Sequence, residues 1–410
     1  MNHTQLSNGL RVIHEPTNSP IIYCGYAINV GTRDELPNEQ GMAHFVEHLL
    51  FKGTQQRRPW QILNSLDRVG GDLNAYTTKE ETMVHATIMR PHFSRAVDLL
   101  TDLVFRSVFL PEEMKKEVEV IIDEIRSYAD SPAEQIFDDF ETQLFGIHAL
   151  GHSILGIPEQ LLRFTTDDVK RFAERYYYPE NMVFFVRGGL SFHQIVRTLE
   201  KHTADIPVGH RSAAQRQSPA PTTPKEVTQR RSIHQAHVIL GARSYSAFDP
   251  KHAAVFLLNN LLGGPALNSR LNMSLRERSG LVYTVESGVT AYTDTGVFNI
   301  YFGTDDADVA RCMKLVRKEL KRLCQFALTP TQLHAAKRQL VGQLSIAAEH
   351  YESRTLGMAK IFLHYDKYET IEDTFRRIDA LTPALLLETA NETLAPDRLH
   401  VLSYQSDAPN

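Results

Sequence analysis

With 410 residues the chain is too long for one ordinary hydrophobic core, so two or more domains are expected. Its formal net charge of −5 gives no general pull toward nucleic acid or an anionic membrane, and no apolar run reaches the roughly 20 residues of a membrane span. Cys24, Cys312 and Cys324 are odd in number and widely placed, which argues against a disulfide framework and for a reducing, cytoplasmic setting.

The opening residues carry neither a basic-then-apolar leader nor an Arg-rich presequence and read as a strand and turn around Asn8-Gly9. Strands are predicted near 10–15 and 21–30, a helix near 39–52 with Asn38 as its N-cap, and a second helix near 59–69. A strand pair follows near 72–78 and 81–89, then helices near 91–107, 111–130, 132–145 and 166–177, and a closing strand near 182–188. From Ile206 to Glu226 the chain turns rich in Pro, Ser, Thr, Ala and Gln and reads as a linker, separating an N-terminal domain (1–205) from a C-terminal one (227–410). Beyond it the order repeats: a strand at 235–244, helices at 250–263 and 266–278, strands at 281–291 and 296–303, then long helices. The fold class expected is α+β, two similar α/β halves, each a mostly antiparallel sheet flanked by helices.

The helix near 39–52 carries the chemistry. His44, Glu47 and His48 stand at i, i+3 and i+4, on one helical face. Two neutral imidazoles one turn apart can each bind a zinc ion at about 2.0–2.1 Å, and a carboxylate between them can take a proton from an attacking water. Such a site needs a third protein ligand. Glu117 and Glu124, two helical turns apart, share a face beside Val120, Ile121 and Ile125. They fit either a ligand-bearing surface, because carboxylates beside apolar neighbours are costly to bury unpaired, or a solvated acidic helix face.

His44 to Thr54 (HFVEHLLFKGT), Gly70 to Thr77 (GGDLNAYT), Glu117 to Glu124 (EVEVIIDE) and Leu155 to Pro158 (LGIP) together resemble the pitrilysin, or inverzincin, metallopeptidases, particularly their processing-peptidase-like subgroup. The resemblance implies one Zn²⁺ per chain, held by His44, His48 and Glu124, with Glu47 as general base and Glu117 orienting a ligand. It further implies that Asn74, Ala75 and Tyr76 contact peptide substrates. In Leu275-Arg-Glu-Arg-Ser-Gly-Leu-Val-Tyr283, Arg276 and Tyr283 resemble the pair that the family places opposite the metal, Arg276 for a substrate carbonyl and Tyr283 for the developing oxyanion. Full-length relatives carry the two-half unit twice around a closed chamber, so the resemblance implies a homodimer of this chain. A non-catalytic or partner-dependent processing subunit is the alternative.

An offset of 209 lays Ser65-Leu66 on Ser274-Leu275 and Gly71 on Gly280, and turns His44, Glu47 and His48 into Ala253, Phe256 and Leu257. A register anchored on Pro111 and Pro330 turns Glu117 and Glu124 into Ala336 and Gln343. The pattern reads as an old duplication whose second copy lost the metal ligands. His85 reads as a strand histidine with a structural role, and His148 and His152, separated by a loop-like stretch, do not read as a second metal site.

Overall fold

In the computed structural model of the chain, which describes residues 1–209 and 216–407, the early period-two runs become strands β1 (Asn2–Gln5), β2 (Arg11–Pro16) and β3 (Ile21–Ile28). The motif follows in helix α1 (Met42–Leu50), then α2 (Pro59–Asp67) and the hairpin β4 (Asp72–Thr77) and β5 (Thr82–Met89). Helices α3 (Phe93–Arg106), α4 (Pro111–Ala129), α5 (Pro132–Phe145), α6 (Pro158–Leu161) and α7 (Thr166–Tyr176) precede β6 (Met182–Gly188) and α8 (Phe192–His202). The later half contains β7 (Glu226–Arg231), β8 (Ala236–Ser244), α9 (His252–Gly263), β9 (Val282–Ala291) and β10 (Gly296–Thr304). It ends with α10 (Val309–Gln325), α11 (Pro330–Ala347), α12 (Tyr351–Tyr365), α13 (Ile371–Asp379), α14 (Pro383–Thr393) and β11 (His400–Ser406). Part of the linker expected at 206–226, residues 210–215, lies outside the described residues. Among the described residues no helix is long and apolar enough to cross a membrane.

The sheets show the duplication that sequence identity barely registers. One runs β1-β2-β6-β3-β5-β4 and the other β7-β11-β8-β10-β9. Beyond the extra β1, the two orders coincide position by position. In each sheet one pair is parallel, β2 with β6 and β7 with β11, and the remaining pairs are antiparallel. The chain is thus α+β, two similar halves with mostly antiparallel sheets flanked by helices.

Compactness groups the chain by exchange of segments. One unit comprises Met1–Arg126, His152–Arg216 and His350–Glu369; the other comprises Ser127–Gly151, Gln217–Glu349 and the chain from Thr370. The exchanged pieces are the counterparts α5 and α12, each following the long helix of its own half. In the first unit α12 lies on β3 and β6, where Met358, Ala359, Phe362 and Leu363 pack on Ile13, Ala27, Met83, Val183 and Phe185. In the second, α5 lies on β8 and β11, with Ile136, Phe140 and Leu144 against Ile239, Tyr301 and Tyr404. An apolar helix stripe meets an apolar sheet face in both cases, which is what covers the second face of each sheet.

The first sheet's other face packs against α1, α3 and the start of α4, with Phe45, Val46, Leu49, Leu100 and Ile121 in one fully buried cluster. Two local expectations are corrected. The helix expected at 266–278 is shortened to residues 270–277, π-helical over Asn272–Glu277, because Gly263-Gly264-Pro265 ends α9 and starts a loop. The N-cap of α1 is Gly41 rather than Asn38: its φ of 91° is one that glycine adopts at little cost, and a side chain there would strike Gly156. This close approach accounts for the Leu-Gly-Ile-Pro segment, whose Gly156, also at positive φ, would reciprocally strike Gly41.

Candidate metal centre

Helix α1 sets the site because its apolar residues Phe45, Val46, Leu49 and Leu50 are buried, which aims the opposite stripe of His44, Glu47 and His48 at α4 and β4. The start of the helix is held from outside. Half-buried Glu35 accepts the Gly41 and Ala43 amides, at 3.0 and 2.8 Å, satisfying donors that the glycine cap has no side chain to meet. Burial pushes its carboxyl well above the usual range despite these two bonds.

His44, His48 and Glu124 bring one ligand atom each within 4.8 Å of one another. Glu124 Oε2 lies 3.9 Å from His44 Nε2 and 3.8 Å from His48 Nε2. Tetrahedral zinc with bonds near 2 Å would space its ligand atoms by about 3.4 Å, so small side-chain rotations would suffice. The two imidazoles stand 4.5 Å apart between centroids, with planes crossed at 68°.

The donor chemistry fits a zinc ion. Burial, with the neighbouring His48, lowers the His44 pKa to about 3, which keeps its imidazole neutral as a metal ligand must be. His48 Nδ1 lies 3.2 Å from Glu117 Oε2, so a proton on Nδ1 donates to that carboxylate and leaves the Nε2 lone pair for a metal. Burial works against protonation of His48, but the bond to Glu117 and the charges of Glu47, Glu117 and Glu124 outweigh it and raise its pKa. Glu117 itself is secured through Oε1 by Lys52 Nζ at 2.5 Å, and the two partners hold its carboxyl below the usual value although burial acts the other way. Among the described residues, His44 Nδ1 has no hydrogen-bond partner.

Glu47 is buried on the same face. Its Oε2 accepts the Thr77 hydroxyl at 2.9 Å from the end of β4. Burial raises its pKa and the threonine bond offsets only part of this, so the carboxylate sits closer to neutral pH than a solvated one. Thr77 was not singled out from sequence, and neither were Glu35 and Lys52. Strand parity was the available signal for Thr77: with Leu73 and Ala75, it occupies the face of β4 turned toward α1.

Parity separates the three substrate candidates. Ala75 packs on the α1 side, whereas Tyr76 packs with the α12 cluster and meets His85 edge-on at 6.2 Å between centroids. Asn74 is exposed, and its Oδ1 accepts the Ala75 amide. The strand is the last in its sheet, paired with β5 alone. His85 is buried and lies 3.5 Å from Glu352. In the second unit, described by itself, Arg276 is exposed in the π-helical turn, and Tyr283, on edge strand β9, is 82 % exposed. Cys312 and Cys324 face Thr304 Oγ1 and the Ala390 carbonyl, and all three cysteines are free.

The positions that correspond to the two histidines in the second half carry no donors, and the one that corresponds to Glu124 carries the neutral amide of Gln343 on α11. On α9, Leu257 is buried in the second unit's core, with Ala253 and Phe256 packed against it; on α11, Ala336 is buried in the same cluster.

Fold and site thus define a class: a duplicated α/β chain of the zinc-peptidase type, with a His, His, Glu cluster in one half and Ala253, Leu257 and Gln343 in its place in the other. Residues 11–157 match the family model described as insulinase (peptidase family M16), and residues 163–340 match that of the peptidase M16 inactive domain. A Bacillus subtilis protein described as the uncharacterized zinc protease YmxG is 31 % identical, over 98 % of both chains. A Mycobacterium leprae protein, also described as an uncharacterized zinc protease, is 32 % identical over 95 % of this chain and 88 % of its own. The chain belongs to the M16, or insulinase and pitrilysin, family of zinc peptidases. The fold is also that of a solved protease from Helicobacter pylori, with a TM-score of 0.91 at 21 % identity over 98 % of this chain and 99 % of that one. A Pseudomonas fluorescens structure described as a peptidase M16 inactive domain gives 0.92 at 21 % identity, over 100 % and 99 %.

Proposed function

We propose that the chain is a zinc-dependent endopeptidase acting on peptides or unfolded segments. The observation that carries this reading is the convergence of His44, His48 and Glu124 beside a buried, hydroxyl-held Glu47. Zinc, when bound by those three residues, would supply Lewis-acid activation of water and of the scissile carbonyl. Glu47 then takes the proton of the attacking water on its carboxylate and passes it to the leaving amine. Thr77 keeps that carboxylate in one orientation, and Glu117 keeps His48 turned. An extended peptide would add to the open edge of β4, reading conformation more than sequence, alongside Asn74, Ala75 and Tyr76.

The relatives described as zinc proteases support the assignment. The purified protein, incubated with an unbiased peptide library, should produce internal cleavages that a chelator stops and added zinc restores. Cleavage that persists through exhaustive chelation would remove the metal from the reaction.

Tyr283 and Arg276 are exposed side chains suited to oxyanion and carbonyl binding, and in the proposed homodimer each would serve the zinc of the partner copy, closing a chamber. Mixing a Glu47→Gln protein with a Tyr283→Phe protein should then recover part of the lost activity, since one class of heterodimer site is intact. No recovery, with subunit exchange demonstrated by mass, would assign both residues to other work. Carrying the metal cluster and this pair in one chain favours a self-sufficient enzyme over a partner-dependent subunit.

A further inference from the structure

The motif helix and its base are held by two loops that are themselves clamped by a single arginine of the linker. Arg216 Nε donates to Asp34 Oδ1 at 2.9 Å and its Nη2 to Asp34 Oδ2 at 2.7 Å, a bidentate grip. The same Nη2 reaches the Glu80 backbone carbonyl at 2.6 Å, and Nη1 is 3.7 Å from the Glu80 carboxylate. Arg33 bonds that carboxylate at 2.6 Å. These charges are largely removed from water: the side chains of Arg33, Asp34 and Glu80 are 2 %, 6 % and 1 % exposed, and that of Arg216 is 14 %.

The two loops lead directly to the site. The first, residues 31–35, ends at Glu35, which holds the amides at the start of α1. The second, residues 78–81, continues β4, whose Thr77 holds Glu47. Backbone bonds from Thr32 to Thr78 and from Arg33 to Lys79 already join them, at 3.2 and 2.8 Å, and Arg216 crosses the seam.

We propose that Arg216 is a positioning residue for the metal helix: its guanidinium locks the Asp34 loop to the Glu80 loop, and through Glu35 and Thr77 fixes where α1 and the Glu47 carboxylate stand. Its catalytic consequence rests on the peptidase reading above; its structural one does not. A planar fork suits this seam better than an ammonium, because two parallel bonds and a third to a carbonyl are made at once.

Hydrogen exchange of the full-length, metal-free protein tests the coupling. Arg216→Gln should speed exchange at Gly41 and Ala43 and at residues 77–81 by about tenfold, as expected for losing a charge-assisted bond, with α3 unchanged. Arg216→Lys should restore part of the protection, and Asp34→Asn, which leaves the Arg33 and Glu80 pair intact, should reproduce the loss even where Arg216→Gln does not fold. Acceleration confined to the linker, or spread evenly over the unit, would overturn the proposal. With a peptide that the parent cleaves, Arg216→Gln should lower kcat and leave KM within about twofold, since only the reacting groups move; a raised KM at parental kcat would overturn it as well. A parent protein that cleaves no peptide would defeat the peptidase reading while leaving the exchange result to stand.

Discussion

Replacing Glu47 with Gln is expected to lower peptide turnover by about 10³-fold, within the range for loss of a general base, while zinc content stays at the parental level. The amide is nearly isosteric, and the Thr77 hydroxyl at 2.9 Å can still donate to its oxygen, so the pocket is not emptied and the threonine keeps its acceptor. What disappears is the ability to take and return a proton. Glu47 is outside the three-residue cluster, which is why metal binding is spared. The counterpart, Glu124→Gln, removes a member of that cluster and should weaken zinc retention by more than the roughly 10–100-fold that loss of an outer partner such as Glu117 costs. Zinc stoichiometry and kcat measured on both variants separate the roles: retained turnover in the first, or unchanged zinc affinity in the second, would cancel the corresponding assignment.

Glu81 is expected to make a large electrostatic contribution to the first unit's stability, and to lose it in acid. Its carboxylate, 2 % exposed, meets Lys360 Nζ at 2.8 Å and His364 Nε2 at 3.0 Å, both on α12. Burial alone would raise its pKa, but the His364 bond and the Lys360 charge bring it down to about 2 from an ordinary 4.5. A carboxyl depressed on folding stabilises the folded state above its unfolded pKa and loses that contribution as pH falls toward its folded one. The drop of 4.5 to 2 is on the order of 3 kcal/mol at neutral pH, lost between pH 4.5 and 2. Glu81→Gln should therefore lower stability by about 3 kcal/mol at pH 7, and the gap from the parent should shrink by more than half at pH 3. Urea unfolding followed by circular dichroism measures the gap at each pH. A gap that does not change with pH would show that packing, not charge, holds α12.

Much of the site was readable before any coordinates. The i, i+3, i+4 spacing put His44, Glu47 and His48 on one face, and the seven-residue spacing of Glu117 and Glu124 put two carboxylates on another. Short-range geometry of this kind follows from helical periodicity alone. Strand and helix positions through residue 188 were legible for the same reason. The helix at 266–278 was over-read because an apolar pattern persists past Gly263-Gly264-Pro265, and the chain's breakers outweigh it. Strand β7, Glu-Val-Thr-Gln-Arg-Arg, is not among the predicted elements, since a half-exposed edge strand with one valine carries almost no hydrophobic signal.

By itself the sequence determined the shared face of His44, Glu47 and His48, the two-half plan and the absence of both histidines from the second half, because each is written in local spacing and residue type. Only the tertiary structure decided which distant groups complete the site: Glu35 under the helix start, Lys52 on Glu117, Thr77 on Glu47 and Arg216 across the two loops. It also decided that α5 and α12 leave their own halves to cover the other sheet. An apolar helix stripe specifies that a face must be buried, not which of two similar sheets will bury it, and that choice is made by packing and charge matching over hundreds of residues.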